Sequence, residues 1–336
     1  MCMETPDNGV DKSFLDATLR PNTWEHYIGQ QKTKDNLQIL LRAAKERGHA
    51  PEHILFHGPP GLGKTTLAHL IANEVGAQLR VTSGPAIEKV GDLASIITNL
   101  SDYDILFIDE IHRLNTSIEE ILYPAMESGQ LDIVIGKGPS ARTIQLDLPP
   151  FTMVAATTQA AQVSSPLRSR FSGGVFRLDF YDTSEIKEIL SRSAEILGLE
   201  SDEEALEEIA QRSRYTPRTA NYFLKRCRDF AQVNNTALTK ESTQKALDLL
   251  AIDEKGLGDD DRRVLETIIE KFDGGPVGVK TLAAAIAEDS STIEEVYEPY
   301  LMREGFLERT SRGRVATARA YAHLGHDVPK DRDLGL

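Results

Sequence analysis

Between residues 48 and 181, short apolar runs alternate with longer stretches whose apolar residues recur at helical spacing. "HILFHG" leads through a glycine-rich turn into the helical run "TTLAHLIANEVG", and "DILFIDE" and "FTMVAATT" are two further short apolar runs. Continuous apolar runs bounded by turns, with helices between them, predict buried parallel strands with helices on both faces of one sheet. Within this region "LDIVIGKGPSARTIQLDL" alternates apolar and polar residues on either side of a Gly/Pro turn, which predicts a β-hairpin over 131–146.

From Thr183 to Leu250 the periodicity is helical throughout. Ser201 and Glu204 have the spacing of a capping box ahead of the amphipathic run "EALEEIA". "AIDEKGLGDDDR" reads as a linker. After it, "DRRVLETIIEKF", "VKTLAAAIA" and "STIEEVYEPYLMREG" predict three helices, and "GFLERTSRGRVATA" predicts a strand-turn-strand. Three helices and a β-wing form the winged helix-turn-helix pattern, a fold that docks on DNA or on proteins. The expected domains are therefore 1–182, an α/β sheet domain; 183–254, an all-α lid; and 255–336, a winged helix.

Composition narrows the class. With 336 residues, 40% hydrophobic and 27% charged, the chain is long enough for two or three cores and is neither disordered nor a membrane protein by its balance. Apolar runs such as "LAAAIA" fall far short of a bilayer span, and the N-terminal "MCMETPDNGVDKSF" lacks a secretory pattern, so a cytoplasmic location is expected. Cys2 and Cys227 are too few and too distant for a disulfide framework. The formal net charge of -14 repels nucleic acid, so any DNA contact must come from a local basic surface. One such cluster stands out: Phe306 to Ala320 carries Arg309, Arg312, Arg314 and Arg319.

"GPPGLGKTT", Gly58 to Thr66, has P-loop spacing and lies between a predicted strand and helix. Such a loop surrounds phosphates with backbone N–H groups at a helix N-terminus; Lys64 reaches the β- and γ-phosphates and Thr65 ligates Mg²⁺. "DILFIDE" ends in Asp109, placed for the Mg²⁺ shell, and Glu110, placed to polarise the attacking water. "SSPLRSRF" offers Arg168 and Arg170 as candidates to stabilise transferring phosphoryl charge from a neighbouring subunit, and spacing alone does not choose between them.

Taken together, "LRPNTWEHYIGQ", "GPPGLGKTTLAHLIANE", "TSGPAIEKVGDLASIITNL", "LFIDEIHRLN", "LYPAMESGQLDIVIGKGPSAR", "LDLPPF", "SPLRSRF", "RYTPRTANYFLKRCRDFA" and the wing segment resemble the RuvB family of Holliday-junction branch-migration ATPases, of the AAA+ class, from about Leu19 to Gly325. The resemblance implies an AAA+ P-loop NTPase whose ATP- and Mg²⁺-dependent hexameric ring encircles duplex DNA. RuvA would recruit it, through the 131–146 hairpin, and the RuvC resolvase would act nearby. By resemblance the trans-acting arginine is Arg170, the sensor-2 arginine is Arg218 of Thr216 to Arg218, and sensor 1 lies in Ala156 to Thr158, with Thr158 the catalytic candidate. Leu19, Arg20, Tyr27, Ile28 and Tyr181 would border the nucleotide, with Gly61, Gly63, Lys64, Thr65 and Thr66 on its phosphates and Glu127, Ser128 and Gly129 completing the site. Arg309 and Arg314 would contact DNA phosphate, with Arg312 a further candidate.

Three places depart from the family pattern: Gln159 stands for a usual arginine, Ser169 for a usual aspartate, and "FSGGVFRL" is one residue longer. All three flank sensor 1 or the arginine pair, so subunit coupling is where transfer of detail is weakest. Rival readings are an AAA+ protein remodeller or clamp loader, which has little use for an arginine-rich wing, and a non-hydrolysing nucleotide-gated DNA-binding module.

Overall fold

The structure is a computed structural model that describes residues 18–135 and 142–328. The chain forms two compact units, one made of the residues up to Ile196 with Thr216–Arg218, the other of Leu197–Tyr215 and the residues from Thr219 onward.

The first unit is built on a five-stranded parallel sheet. In chain order its elements are α1 (Gln31–Arg47), β1 (Ile54–His57), α2 (Lys64–Val75), β2 (Leu79–Ser83), α3 (Val90–Thr98), β3 (Ile105–Asp109), α4 (Thr116–Glu127), β4 (Gln130–Ile135), β5 (Arg142–Asp147), β6 (Thr152–Thr157), α5 (Ser165–Ser169), β7 (Gly174–Arg177) and α6 (Thr183–Ile196). The strand order is β2-β3-β6-β1-β7. Strands β1, β3 and β6 are the "ILFH", "ILFID" and "TMVAAT" segments, and they sit in the middle of the sheet with almost every side chain buried. One face carries Leu55, Leu106, Ile108, Met153 and Ala155 against Leu93 and Ile97 of α3 and Ile118 and Leu122 of α4. Helix α2 lies against β2, β3 and β6, and α1 lies against α2. Each large aliphatic side chain so removed from water contributes ~1.5–3 kcal/mol, offset mainly by conformational entropy.

Register then positions the chemistry. His57 pairs with Thr157 across β1 and β6, and Ile108 with Ala155 across β3 and β6. The three strands therefore end together, and the segments that begin at Gly58, Glu110 and Thr158 leave from one edge. A parallel sheet places ligand chemistry at this carboxyl edge. Strands β4 and β5 form the expected antiparallel hairpin, Ile133 opposite Ile144; its tip, 136–141, lies outside the described residues.

The second unit holds α7 (Glu203–Arg212), α8 (Pro217–Asn234, which begins in the segment belonging to the first unit), α9 (Lys240–Leu249), α10 (Asp259–Lys271), α11 (Val279–Ile286), α12 (Glu298–Arg303), β8 (Leu307–Thr310), β9 (Gly313–Ala316) and α13 (Ala318–Leu324). Two local expectations are corrected here. The cap of α7 is Asp202, whose carboxylate accepts from the Ala205 N–H at 2.6 Å, because Ser201 is held in a β-bridge with Leu238 and the helix starts later. The predicted single helix over 291–305 is interrupted. Ser290–Thr292 makes one α-turn, Ile293–Tyr297 widens into a π-turn, and α12 follows. Pro299 has no N–H to give to the preceding turn, which breaks the regular ladder at that point.

The hydrophobic centre of the C-terminal part joins Val264, Leu265 and Ile268 of α10, Leu282 and Ile286 of α11, Leu301 of α12, Phe306 and Leu307, and Ala316 and Ala320. Strands β8 and β9 pair with Arg309 opposite Arg314, and Gly313 turns the hairpin at φ +142°, where a Cβ would lie 2.4 Å from the Val277 carbonyl. Val277 also bridges Arg314 through two backbone hydrogen bonds of 3.0 and 2.8 Å. The wing is thereby a three-segment structure rather than a free hairpin. Among the described residues no helix is long and apolar enough to cross a membrane.

Candidate nucleotide site and nucleic-acid surface

Gly61 and Gly63 take φ +81° and +94°, conformations L side chains rarely adopt, and they turn the backbone into the N-terminus of α2. A Cβ on Gly63 would come within 3.0 Å of the Tyr27 hydroxyl. Lys64 opens the helix. Its buried Nζ donates to the carbonyls of Gly58 and Pro59, both at 2.8 Å, so the amine is folded back over its own loop. Burial lowers its pKa to about 8; the charges of Asp109 and Glu110 oppose that shift and Arg218 adds to it. Those four side chains therefore share one electrostatic neighbourhood, as phosphate chemistry requires. Thr65 and Thr66 are half-buried in the first turn of α2.

Asp109 ends β3, and its Oδ1 accepts the Glu110 N–H at 3.0 Å. Glu110 itself is left-handed, φ +49°, and its carboxylate lies 3.4 Å from Arg113. At the end of β6 the buried Thr157 Oγ1 accepts the Gln159 N–H at 3.0 Å and lies 3.0 Å from His112 Nδ1. Thr158 follows, half-buried. Periodicity did not single out His112 or Arg113; the signal available was only their place directly after the two acids.

Of the residues expected to border a base, Tyr27 and Tyr181 lie at the P-loop. Tyr27 and Tyr181 are buried, their hydroxyls 3.4 Å apart and each 3.4 Å from the Leu62 carbonyl. Burial raises both phenols, Tyr181 to about 12, so both remain protonated donors. Gln30 clamps the segment by donating to the Asp179 carbonyl at 2.6 Å and accepting the Asp179 N–H at 3.2 Å. The Leu19 carbonyl accepts from Arg192 at 2.9 Å, Trp24 Nε1 donates to Glu74 of α2 at 3.2 Å, and Ile28 and Arg20 are half-buried. The Arg218 N–H reaches the Gly61 carbonyl at 3.4 Å while its side chain is exposed.

Arg168 and Arg170 differ in the structure. Arg168 is exposed. Arg170 lies with its guanidinium 4.2 Å above the Tyr123 ring, donates to the Pro166 carbonyl at 2.6 Å and pairs with Glu127 at 3.1 Å. Glu127, Ser128 and Gly129 thus stand at the C-terminal end of α4 beside Arg170. Ser128 Oγ donates to the Pro124 carbonyl, and Gly129 turns the chain at φ +65°.

The wing separates its arginines just as sharply. Arg314 is buried, with Nε 2.5 Å from Glu298 and Nη2 2.8 Å from Glu294. Its guanidinium is occupied by two carboxylates, and this corrects the expectation that Arg314 meets phosphate. Arg309 is half out in solvent, 3.6 Å from Glu294, and Arg312 is exposed at the turn. Arg319 lies over the Phe306 ring and near Glu304.

Comparison with known proteins accounts for most of the chain. Residues 19–178 match the family model of the Holliday junction DNA helicase RuvB P-loop domain, 181–253 that of the RuvB AAA lid domain, and 254–325 that of the RuvB C-terminal winged helix domain. The Holliday junction branch migration complex subunit RuvB of Dehalococcoides mccartyi (strain CBDB1) is 56% identical over 325 residues, covering 96% of this chain and 93% of that one. Among solved structures, the Thermotoga maritima RuvB Holliday junction branch migration motor superimposes with a TM-score of 0.85 at 47% identity, covering 93% of this chain and all of that one. A mutant of the same Thermotoga maritima protein gives a TM-score of 0.86 at 48% identity, over 93% and 99% of the two chains. Matches of this extent and order, on a chain whose P-loop, paired acids and wing have the geometry described above, establish that it belongs to the RuvB family.

Proposed function

We propose that this chain is an ATP-hydrolysing subunit of a motor that moves Holliday-junction branch points along DNA. The observation that carries the reading is the continuous run of RuvB P-loop, lid and winged-helix matches over 19–325, on a chain whose Lys64, Asp109 and Glu110 sit within electrostatic reach of one another. The division into 1–182, 183–254 and 255–336 is part of the proposal, supported by family boundaries at 178/181 and 253/254.

The nucleotide's phosphates lie against the N-terminus of α2, on the backbone N–H groups of Gly61 to Thr66, where the helix dipole favours anions. Lys64 leaves its two loop carbonyls and turns to the β- and γ-phosphates, exchanging neutral acceptors for charged ones. Thr65 and Asp109 fit the protein side of a Mg²⁺ shell, an ion that keeps most of its ligands as phosphate oxygens and water. No described group of three or more His, Cys, Asp or Glu residues has the arrangement to hold a metal ion unaided. The bound ion would neutralise charge on the phosphates. Glu110 orients and deprotonates the attacking water, held until then by Arg113. Thr158, at the carboxyl edge of β6, and Arg218 read the state of the γ-phosphate, while Leu19, Arg20, Tyr27, Ile28 and Tyr181 border the base.

Arg170 acts on the site of the next copy in a homohexamer, together with Glu127, Ser128 and Gly129 beside it. The β4–β5 hairpin receives RuvA, with RuvC in the same assembly. Arg309 and Arg312 hold the phosphate backbone without reading bases, as movement through arbitrary sequence requires. The test is branch migration of a synthetic four-way junction with purified RuvA, comparing the wild type with Glu110→Gln. The wild type consumes ATP and moves the junction; Glu110→Gln binds ATP but loses turnover by on the order of 10²-fold or more. Brisk ATP hydrolysis with the junction unmoved would overturn the reading.

A further inference from the structure

Arg170 is not simply a surface arginine on a short helix. Glu119, Tyr123 and Glu127 recur every four residues on α4, which puts them on one face of that helix. The buried Glu119 carboxylate accepts from Ser164 Oγ at 2.5 Å and from the Tyr123 hydroxyl at 3.2 Å. Ser164 is also the N-cap of α5, accepting the Leu167 N–H at 3.3 Å, and its hydroxyl lies 3.2 Å from that of Tyr123. Two polar groups, Glu119 on α4 and Ser164 at the start of α5, thereby fix the Tyr123 ring, and the ring carries the Arg170 guanidinium on its face. Arg170 Nε is buried and finds no acceptor among the described residues, so the ring and the Pro166 carbonyl, together with the exposed Glu127, determine where the cation points.

We infer that Tyr123 is a positioning residue for phosphoryl transfer: its ring, fixed by Glu119 and Ser164, aims Arg170 at the nucleotide held by a neighbouring copy of this chain. The inference rests on the proposed trans role of Arg170. A cation on an aromatic face keeps its charge and its in-plane N–H donors, so the guanidinium can exchange Glu127 for a γ-phosphate without leaving its support. A salt bridge alone gives no such support, because the incoming phosphate displaces the very group that held the arginine.

The experiment measures DNA-stimulated ATPase of the full-length protein for Tyr123→Phe, Tyr123→Leu and Tyr123→Met, each checked for folding by thermal melting. Tyr123→Phe keeps the face but loses the hydroxyl anchor and is expected about threefold below wild-type kcat, while Tyr123→Leu and Tyr123→Met lose about tenfold in kcat with nucleotide Kd unchanged. The Leu and Met variants are carried together so that a folding failure of one leaves the other to decide. Each is then mixed with Lys64→Ala protein, as is Arg170→Ala in parallel. If Tyr123 acts through Arg170 in trans, Lys64→Ala subunits supply an intact Tyr123–Arg170 pair to the variant's working P-loop, and turnover recovers in the mixtures.

Wild-type kcat in both folded Leu and Met variants overturns the inference. So does recovery of Arg170→Ala without recovery of the Tyr123 variants, which places the tyrosine's effect inside its own subunit. If Arg170→Ala itself does not recover on mixing, the trans reading fails and takes this inference with it.

Discussion

Arg170 and Arg314 are both packed onto their own chain, yet they are held in different ways. Arg314 has a side chain 7% exposed and lies between two glutamates, one of them, Glu298, only 3% exposed. Releasing it would strand a carboxylate in an apolar interior, a cost no phosphate contact repays. Arg170 is 19% exposed, and its one carboxylate partner, Glu127, is 60% exposed, so water takes over that carboxylate as soon as another anion replaces it. The remaining supports of Arg170 are a ring face and a carbonyl, which do not compete with a phosphate. Partial burial therefore does not tell whether an arginine is available for chemistry; the solvation of the partner it must abandon does.

The largest effect expected from this contrast is at Arg170. Arg170→Ala should cut kcat by on the order of 10³-fold while nucleotide affinity, measured by direct titration, stays within a few-fold of wild type. An unaltered kcat would erase the distinction just drawn. At Arg314 the loss should appear in stability instead: Arg314→Ala destabilises the wing and its supporting helices by ~3 kcal/mol in denaturant unfolding. The double variant Arg314→Leu/Glu298→Leu recovers most of that loss, because no charge is left buried and unpaired.

A smaller effect separates the two wing classes. Arg309→Ala/Arg312→Ala should weaken duplex binding about tenfold at moderate salt and lower the slope of log K against log salt by about two, leaving the melting temperature unchanged. If Arg314 were the phosphate ligand instead, that slope would not move. The smallest effect concerns Lys64, whose desolvated amine has a pKa of about 8. Phosphate favours the ammonium form and raises its pKa on binding, so nucleotide affinity is complete below pH 8 and falls as pH climbs through that value. Isothermal titration at pH 7 and pH 9 should differ by up to about tenfold, the weaker binding at pH 9.

How much of this could be read from the chain depends on where each residue sits. The central strands β1, β3 and β6 were legible because both faces are covered, which leaves an uninterrupted apolar run. Strands β2 and β7 were not, since at the sheet edges no residue of "LRVTS" or "GVFR" is fully buried, and over four or five residues they resemble loop sequence. The P-loop and the acids after β3 were visible because their spacing is set by local backbone chemistry. Arg314 was misplaced for the opposite reason. Its partners lie 16 and 20 residues upstream, at the start of α12 and in the π-turn before it, and in sequence the wing arginines are equivalent. The Tyr123 network was hidden in the same manner, although the fourfold spacing of Glu119, Tyr123 and Glu127 was a faint local sign of one shared helical face.

The chain contains a single tryptophan. Trp24 is nearly buried, and its indole N–H is tied to Glu74 near the far end of the helix that Lys64 begins. Intrinsic emission excited at the red edge therefore comes from one fluorophore fastened to the P-loop helix, so any change in that helix when ATP is added should be readable without a label having to be attached anywhere.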